Sequence, residues 1–195
     1  MNIDSRVCKI ALALLFLFLP AKARAQQITL AIDPAQTSVS FTLDAFLHVV
    51  HGTMKLTAGH IAIDPASGTA MGAFTVDARS AETGNSGRDN RMHKEILESA
   101  RYPEISFTPI SVQGQIAAQG VSQVQLRGLF RIHGHEETVT LPVEVQFSEY
   151  NWTGETTFVV PYVKWGLKNP SNVFLRVKDS VTLTVKAAGR VSSQP

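Results

Sequence analysis

Residues 124–147 read VQLRGLFRIHGHEETVTLPVEVQF and contain two rows in which apolar side chains alternate with polar ones. The first row ends at Ile132 and the second begins at Val139, and Gly134 and Glu136 between them have the composition of a turn. Because successive side chains on a strand point to opposite faces, each row gives a strand with one apolar face. The segment therefore predicts two long strands joined at a hairpin tip.

Shorter alternating rows lie on both sides of this hairpin, at Val39–Leu43, Met54–Ile63, Phe74–Val76, Ile105–Phe107, Phe158–Val160, Val173–Val177 and Val181–Val185. Turn residues recur too closely for helical crossovers, so we expect eight or nine antiparallel strands in one all-β domain. A change of parity between Leu56 and Ile61 predicts a bulge at Ala58–Gly59. Alternation fits a sandwich or a barrel, and the length of the two central strands favours a barrel.

One segment has helical spacing instead. From Asp89 to Ala100 the apolar residues recur every three or four positions, and Pro103 ends the run, which predicts one amphipathic helix. The polar residues 78–91 before it predict a long loop. We interpret this loop as a lid that places Arg88 for a ligand head group. In a second interpretation, Asp89 caps the helix and Arg88 pairs with a neighbouring carboxylate.

The N-terminus has the pattern of a secretory signal peptide. Arg6 and Lys9 precede the apolar run 10–19, and small residues end at Ala25. The run is too short to span a bilayer, which needs about 20 residues. An anchoring or buried helix is the alternative. We expect cleavage near Ala25, a domain over residues 26–195 with no stable membrane span, and a periplasmic or secreted location.

Charge and cysteine content exclude several classes of function. The predicted signal peptide has four basic residues and one acidic residue, so the net charge of +2 becomes −1 for residues 26–195. Nucleic acid is therefore not an expected partner. The single cysteine, Cys8, lies in the signal peptide, which leaves the domain without a disulfide, a thiolate nucleophile or a cysteine metal ligand.

The six histidines are the obvious candidates for chemistry. His133 and His135 are expected to be solvated at the hairpin tip, and His48 and His51 point to opposite faces of a strand. No metal ligand set, cofactor motif, hydrolase motif or catalytic residue is predicted. A periplasmic hydrolase or metal-dependent enzyme that uses the histidines, and a structural β-sandwich with a solid core, are the alternative functions.

Several motifs together resemble the YceI-like family of periplasmic polyisoprenoid- and lipid-binding proteins. They are Asp33-Pro34-x3-Ser38-Val39-x-Phe41, His51-Gly52, Ile61-x-Ile63-Asp64, Thr83-Gly84-Asn85-x2-Arg88-Asp89, Tyr102-Pro103-x-Ile105-x-Phe107 and Gly128-Leu129-Phe130-x-Ile132-His133-Gly134. The likeness is thin beyond Asn151. The resemblance implies a lipocalin-like antiparallel barrel whose apolar interior binds an isoprenoid or acyl chain, with the helix at one end and no catalytic residue or metal.

On this basis we predict which residues bind the lipid. The predicted pocket lining is Phe41, Leu43, Met54, Leu56, Phe74, Val76, Phe107, Phe130 and Ile132. Met92 and Ile96 of the helix are expected to close the pocket, and His48 and Arg88 to contact the head group. The expected partner is an isoprenoid or fatty-acyl amphiphile. We expect the aromatic residues Trp152, Tyr162 and Trp165 in the core or at the rim of the barrel rather than at an opening or a dimer contact. A homodimer is one of the oligomeric states that the sequence allows.

Overall fold

The computed structural model describes residues 27–46, 48–172 and 176–194, so the predicted signal peptide lies outside the described residues. Its strands are β1 Gln27–Ile32, β2 Ser38–Asp44, β3 Val49–Asp64, β4 Thr69–Glu82, β5 Glu104–Gln113, β6 Gly120–Ile132, β7 His135–Ser148, β8 Asn151–Val160 and β9 Val181–Gln194. Residues 173–175 of one predicted strand also lie outside this description, and Val177 makes only an isolated bridge to Ala45.

The sheet closes on itself as an antiparallel barrel with the strand order β1-β3-β2-β9-β8-β7-β6-β5-β4 and a further pairing of β3 with β4. Strands β1 and β2 share one position in the wall. Both strands lie between β3 and β9. Strand β1 pairs near His60 of β3 and Gly189 of β9, and strand β2 pairs near Met54 of β3 and Val185 of β9. The wall therefore has eight positions and one extra strand, which confirms the predicted barrel and makes the sandwich alternative wrong.

A bulge in β3 aligns its two halves with the interior. Leu56 lies opposite Val76 and Ala58 opposite Thr75, so Thr57 is the extra residue. The predicted bulge thus exists but lies before Ala58 rather than at Ala58–Gly59. Because the bulge shifts the side-chain alternation, Met54 before it and Ile61 after it both face the interior.

The pairing of β7 with β8 is short. It runs only from Glu144 opposite Glu155 to Ser148 opposite Asn151. Pro142, two residues beyond the last pair, has no N–H to donate, which accounts for the end of the ladder there. Beyond this point Trp165 packs at the barrel wall. Its ring lies 5.7 Å from that of Phe130 and 5.5 Å from that of His135, centroid to centroid.

Residues 33–37 join β1 to β2 within the wall position that these two strands share, and the other connections fall into two groups because antiparallel strands alternate in direction. Residues 65–68, 114–119 and 149–150 join strands at one end. Residues 45–48, 83–103, 133–134 and 161–180 join strands at the other, which we call the helical end because it holds the helix. The 133–134 turn is the predicted hairpin tip, with φ of 52° at His133 and 76° at Gly134.

The helix differs from its prediction in position. Helix α1 spans Ser86–Arg91 and continues as a π-helical turn, Met92–Ile96, instead of running from Asp89 to Ala100. Asn85 is the N-cap, because its side-chain oxygen accepts a hydrogen bond from the backbone N–H of Arg88 at 3.0 Å. The predicted cap, Asp89, instead accepts from the backbone N–H of Thr83 at 2.9 Å.

The predicted long loop before the helix is wrong. Strand β4 continues to Glu82, which leaves only residues 83–85 as the connection. The polar side chains of residues 77–80, which were part of the predicted loop or precede it, form hydrogen bonds within an irregular part of β4. Ser80 accepts a hydrogen bond from the backbone N–H of Lys55 at 2.8 Å, and Arg79 pairs with Asp77 at 2.9 Å. This Arg79 guanidinium is the main cause of the lowered pKa of the Asp77 carboxyl.

A candidate ligand-binding cavity

The barrel encloses a cavity of about 540 Å³. Its lining is formed by inward side chains from the strands, together with helix α1 and the 161–180 connection. Most of these side chains are apolar, and the volume falls within the range of about 300–1,000 Å³ that is typical of small-molecule sites. The solid-core alternative is therefore wrong.

Twelve of the thirteen predicted site residues line the cavity. Those that line the cavity are Phe41, Leu43, His48, Met54, Phe74, Val76, Arg88, Met92, Ile96, Phe107, Phe130 and Ile132. Leu56 does not line it, although it is buried. It lies next to the bulge and opposite Val76, and it packs into the core of the wall. The role of these residues in lipid binding stays a prediction.

The second half of the chain forms much of the cavity wall, and most of its lining residues are absent from the predicted set. The additional large lining residues are Leu126, Leu141, Trp152, Phe158, Tyr162, Leu167 and Leu183. Alternation within β6, β7 and β9 could have identified Leu126, Leu141 and Leu183. Tyr162 and Leu167 lie outside any strand, so no periodic signal marks them. Both are buried, as are Trp152 and Trp165, which places the three predicted aromatic residues in the core.

Glycines opposite two aromatic rings shape the inner wall. Phe41 lies opposite Gly52, where an added Cβ would come within 2.1 Å of the ring atom Cζ of Phe41. A Cβ at Gly128 would likewise come within 2.5 Å of Cζ of Phe107. Each ring therefore lies over a glycine of the neighbouring strand. This close approach explains the glycine of the His51-Gly52 motif.

The cavity-lining residues His48, Arg88 and Arg91 lie at the helical end, so we place the mouth of the cavity there. Arg88 is held in position at this mouth by hydrogen bonds. Its Nε donates to Oγ1 of Thr83 at 2.7 Å, and its Nη2 donates to the Thr83 carbonyl at 3.0 Å. Thr83 is held in turn by Asp89. These bonds use two of the five N–H donors of the guanidinium. Within the described part of the chain no carboxylate pairs with Arg88, so the expected ion pair is absent there and donors remain for a ligand.

Tyr162 and Thr156 contribute two further polar groups to the cavity lining. The Tyr162 hydroxyl donates to the carbonyl of Lys178 at 2.8 Å, and burial raises the pKa of Tyr162 to about 12. Its phenol is therefore neutral across the physiological pH range. The Thr156 hydroxyl is buried and has no hydrogen-bond partner among the described residues. Both of these polar groups are therefore uncharged.

The histidines near the hairpin tip make local contacts. His133 is not solvated as predicted: its side chain is 14% exposed, its ring lies 4.3 Å from that of Tyr102, and its Nε2 lies 2.6 Å from Glu98. His135 stacks on Trp165, which partly covers it. His93 Nε2 donates to the carbonyl of Ala81 at 2.9 Å. Across residues 27–46, 48–172 and 176–194, no three His, Cys, Asp or Glu side chains are grouped to hold a metal ion.

Fold and cavity define a class of protein, the closed antiparallel β-barrel with an apolar internal site. The particular family follows from sequence: a YceI-like domain model matches residues 30–188, and the chain belongs to that family. The match extends well past Asn151, beyond which the sequence motifs alone show little likeness. A comparison with curated proteins finds no match. Among the described residues, no helix is long and apolar enough to cross a bilayer.

Solved structures share this fold at low sequence identity. BcnA of Burkholderia cenocepacia has a TM-score of 0.70 and 19% identity, covering 81% of this chain and 99% of its own. A polyisoprenoid binding domain from Saccharophagus degradans, described as implicated in plant cell wall breakdown, has a TM-score of 0.65 and 17% identity, covering 84% and 98%. The YCEI protein of Campylobacter jejuni has a TM-score of 0.59 and 18% identity, covering 72% and 84%.

Proposed function

We propose that this protein binds the hydrocarbon chain of one polyisoprenoid or fatty-acyl amphiphile inside the barrel, and so sequesters or carries it. The observation that supports the proposal most is the apolar cavity of about 540 Å³. An apolar void of this size is costly when empty, because its lining atoms lack contacts that a hydrocarbon guest would supply. The polyisoprenoid-binding description of the Saccharophagus degradans neighbour adds support from a related fold.

Burial of the hydrocarbon chain supplies most of the affinity. Each buried methylene contributes about 0.8 kcal/mol, so a chain of about fifteen carbons contributes roughly 12 kcal/mol before ordering costs. The lining favours a hydrocarbon chain over a polar solute, because most of its side chains are apolar and offer no hydrogen bond.

Arg88 selects the head group. Thr83 holds the guanidinium at the mouth, and its remaining N–H groups suit an anionic or carbonyl-bearing head group. His48, which also lines the mouth, is a second contact. Residues 1–25 have the pattern of a signal peptide, so we place this activity in the periplasm or outside the cell.

The test is native mass spectrometry of the purified protein, with variants that fill the cavity from its wall. Ala187 lies opposite Gly154, and both line the cavity. In Ala187→Phe the new ring occupies the space of the ligand, so we expect the co-purifying apolar mass to be lost. The matched control is Thr153→Phe, which adds the same ring on the outer, exposed face of β8.

Circular dichroism should give the same β-type spectrum for both variants. An Ala187→Phe protein that retains the full amount of bound lipid would contradict the proposed cavity, and an unmodified protein without any apolar mass would contradict the proposed function.

In Arg88→Met we expect the hydrocarbon chain to stay bound and the preference among head groups to change. Competition between a fatty acid and the corresponding alcohol measures this preference.

A further inference from the structure

One polar side chain interrupts an apolar belt around the middle of the cavity. Thr156 of β8 lies opposite Val185 of β9. In the next two strands, Val39 lies opposite Val185 and Met54 lies opposite Val39. On the other side of Thr156, Val143 of β7 lies one residue beyond the last pair between β7 and β8. These five side chains, which we call the belt, all line the cavity, and Thr156 is the only polar one among them.

The hydroxyl of Thr156 is left without a partner. Its oxygen is buried and forms no hydrogen bond with any described residue, whereas the side chain as a whole is half-buried and borders the cavity. A rotation of about 120° about the Cα–Cβ bond exchanges the hydroxyl with the methyl group, so the hydroxyl can turn toward a ligand. A buried hydroxyl without a partner is destabilising, because it has lost its hydrogen bonds to water. An oxygen atom of a bound ligand would supply the missing partner.

The position of Thr156 along the barrel indicates which part of a ligand it meets. The cavity-lining part of β8 runs from Trp152 to Val160, and Thr156 is its midpoint. Val160 lies at the helical end, about 13 Å along the strand from Thr156 at about 3.3 Å per residue. A ligand whose head group contacts Arg88 at the mouth therefore brings the middle of its chain to Thr156.

We propose that Thr156 forms a mid-chain subsite, in which its hydroxyl hydrogen-bonds an oxygen atom in the middle of the ligand's hydrocarbon chain. The ligand class is then an amphiphile with a hydroxyl or keto group on its chain, and the plain-chain analogue binds less well. A threonine hydroxyl donates to a keto oxygen, and it donates to or accepts from a hydroxyl group. This inference rests on the proposed function and specifies its ligand.

Paired fatty acids test the subsite. The protein, freed of lipid by organic extraction, is offered stearic acid and a stearic acid with one hydroxyl group near the middle of its chain, and native mass spectrometry measures the competition. In Thr156→Val, which replaces the hydroxyl by a methyl group, we expect the preference for the hydroxylated acid to fall about fivefold or more, because the ligand hydroxyl then has no partner in the belt. Stearic acid itself should bind this variant at least as tightly as the unmodified protein.

Three controls accompany this experiment. Thr156→Ser keeps the hydroxyl and should keep the preference. Thr157→Val makes the same change at the next residue, whose exposed hydroxyl lies 3.0 Å from that of Thr184, and it should keep the preference too. A stearic acid with its hydroxyl group next to the carboxyl group should show no dependence on Thr156, because that hydroxyl stays at the mouth.

Two results would overturn the subsite. One is an equal preference in the unmodified protein and in Thr156→Val. The other is weaker binding of stearic acid to Thr156→Val, which would place the carboxyl group at Thr156 instead of at the mouth.

The subsite and the proposed function fail in different ways. Binding of both acids without any effect of Thr156→Val would contradict the subsite alone. If neither acid binds and no apolar mass co-purifies, the proposed function is contradicted and the subsite with it.

Discussion

At the scale of single residues, the inner wall depends on positions that have no side chain. Gly52 leaves room for the ring of Phe41, and Gly128 leaves room for the ring of Phe107. Both rings also line the cavity, so these glycines affect packing and the site together. Gly87 is different, because a Cβ there would meet only the Asn85 side-chain oxygen, at an ordinary 3.5 Å.

We therefore expect Gly52→Ala to lower the free energy of unfolding by about 1–3 kcal/mol, because the added methyl group must displace the Phe41 ring. Gly87→Ala, the control within helix α1, should leave stability unchanged or raise it by up to about 1 kcal/mol. Urea denaturation measures both. Equal stability of the two variants would mean that the Phe41 ring does not lie over Gly52.

At the scale of secondary-structure elements, the helical segment depends on its first turn. Helix α1 is only six residues long, so it cannot be stable by itself. Asn85 caps it, and its continuation places Met92 and Ile96 in the cavity lining. The cap therefore links a local hydrogen bond to the closing wall of the site.

Replacing the cap tests this link. We expect Asn85→Ala to cost about 1 kcal/mol of stability, because the backbone N–H of Arg88 loses its acceptor. Asn90→Ala removes the same side chain from an exposed helical position and should have little effect. Thermal unfolding followed by circular dichroism compares them, and an equal loss in both variants would contradict the capping role.

At the scale of the whole molecule, closure of the sheet creates the cavity. Eight wall positions enclose an interior that the inward side chains do not fill, and the helix and the 161–180 connection complete the lining at the helical end. Stability and ligand binding are therefore linked, because a guest that binds only the folded barrel stabilises it.

Removal of the bound amphiphile by organic extraction should accordingly lower Tm. At a ligand concentration a hundredfold above Kd the expected stabilisation is about 2.7 kcal/mol, or roughly 5–10 °C for a domain of this size. Adding the extract back should restore Tm in the unmodified protein and leave Ala187→Phe unchanged. A Tm that is identical before and after extraction would argue against a guest in the cavity.

The all-β class, the strand alternation, a bulge near Ala58 and part of the cavity lining can be predicted from the sequence, because side-chain periodicity is a local property of a strand. It also contained the family motifs. The predicted loop over residues 78–91 is wrong because the polar side chains that form hydrogen bonds at the irregular end of β4 resemble those of a loop.

That the interior is hollow follows from the packing of the closed barrel and from no local sequence pattern. A filled barrel and a hollow barrel share the same alternation, since both place apolar side chains inward; the difference is the volume left between residues far apart in the chain. Closure brings Tyr162 and Leu167, which lie outside any strand, into the same wall as Phe41. It also brings Phe46 beside Arg176, a contact across 130 residues that no local pattern contains.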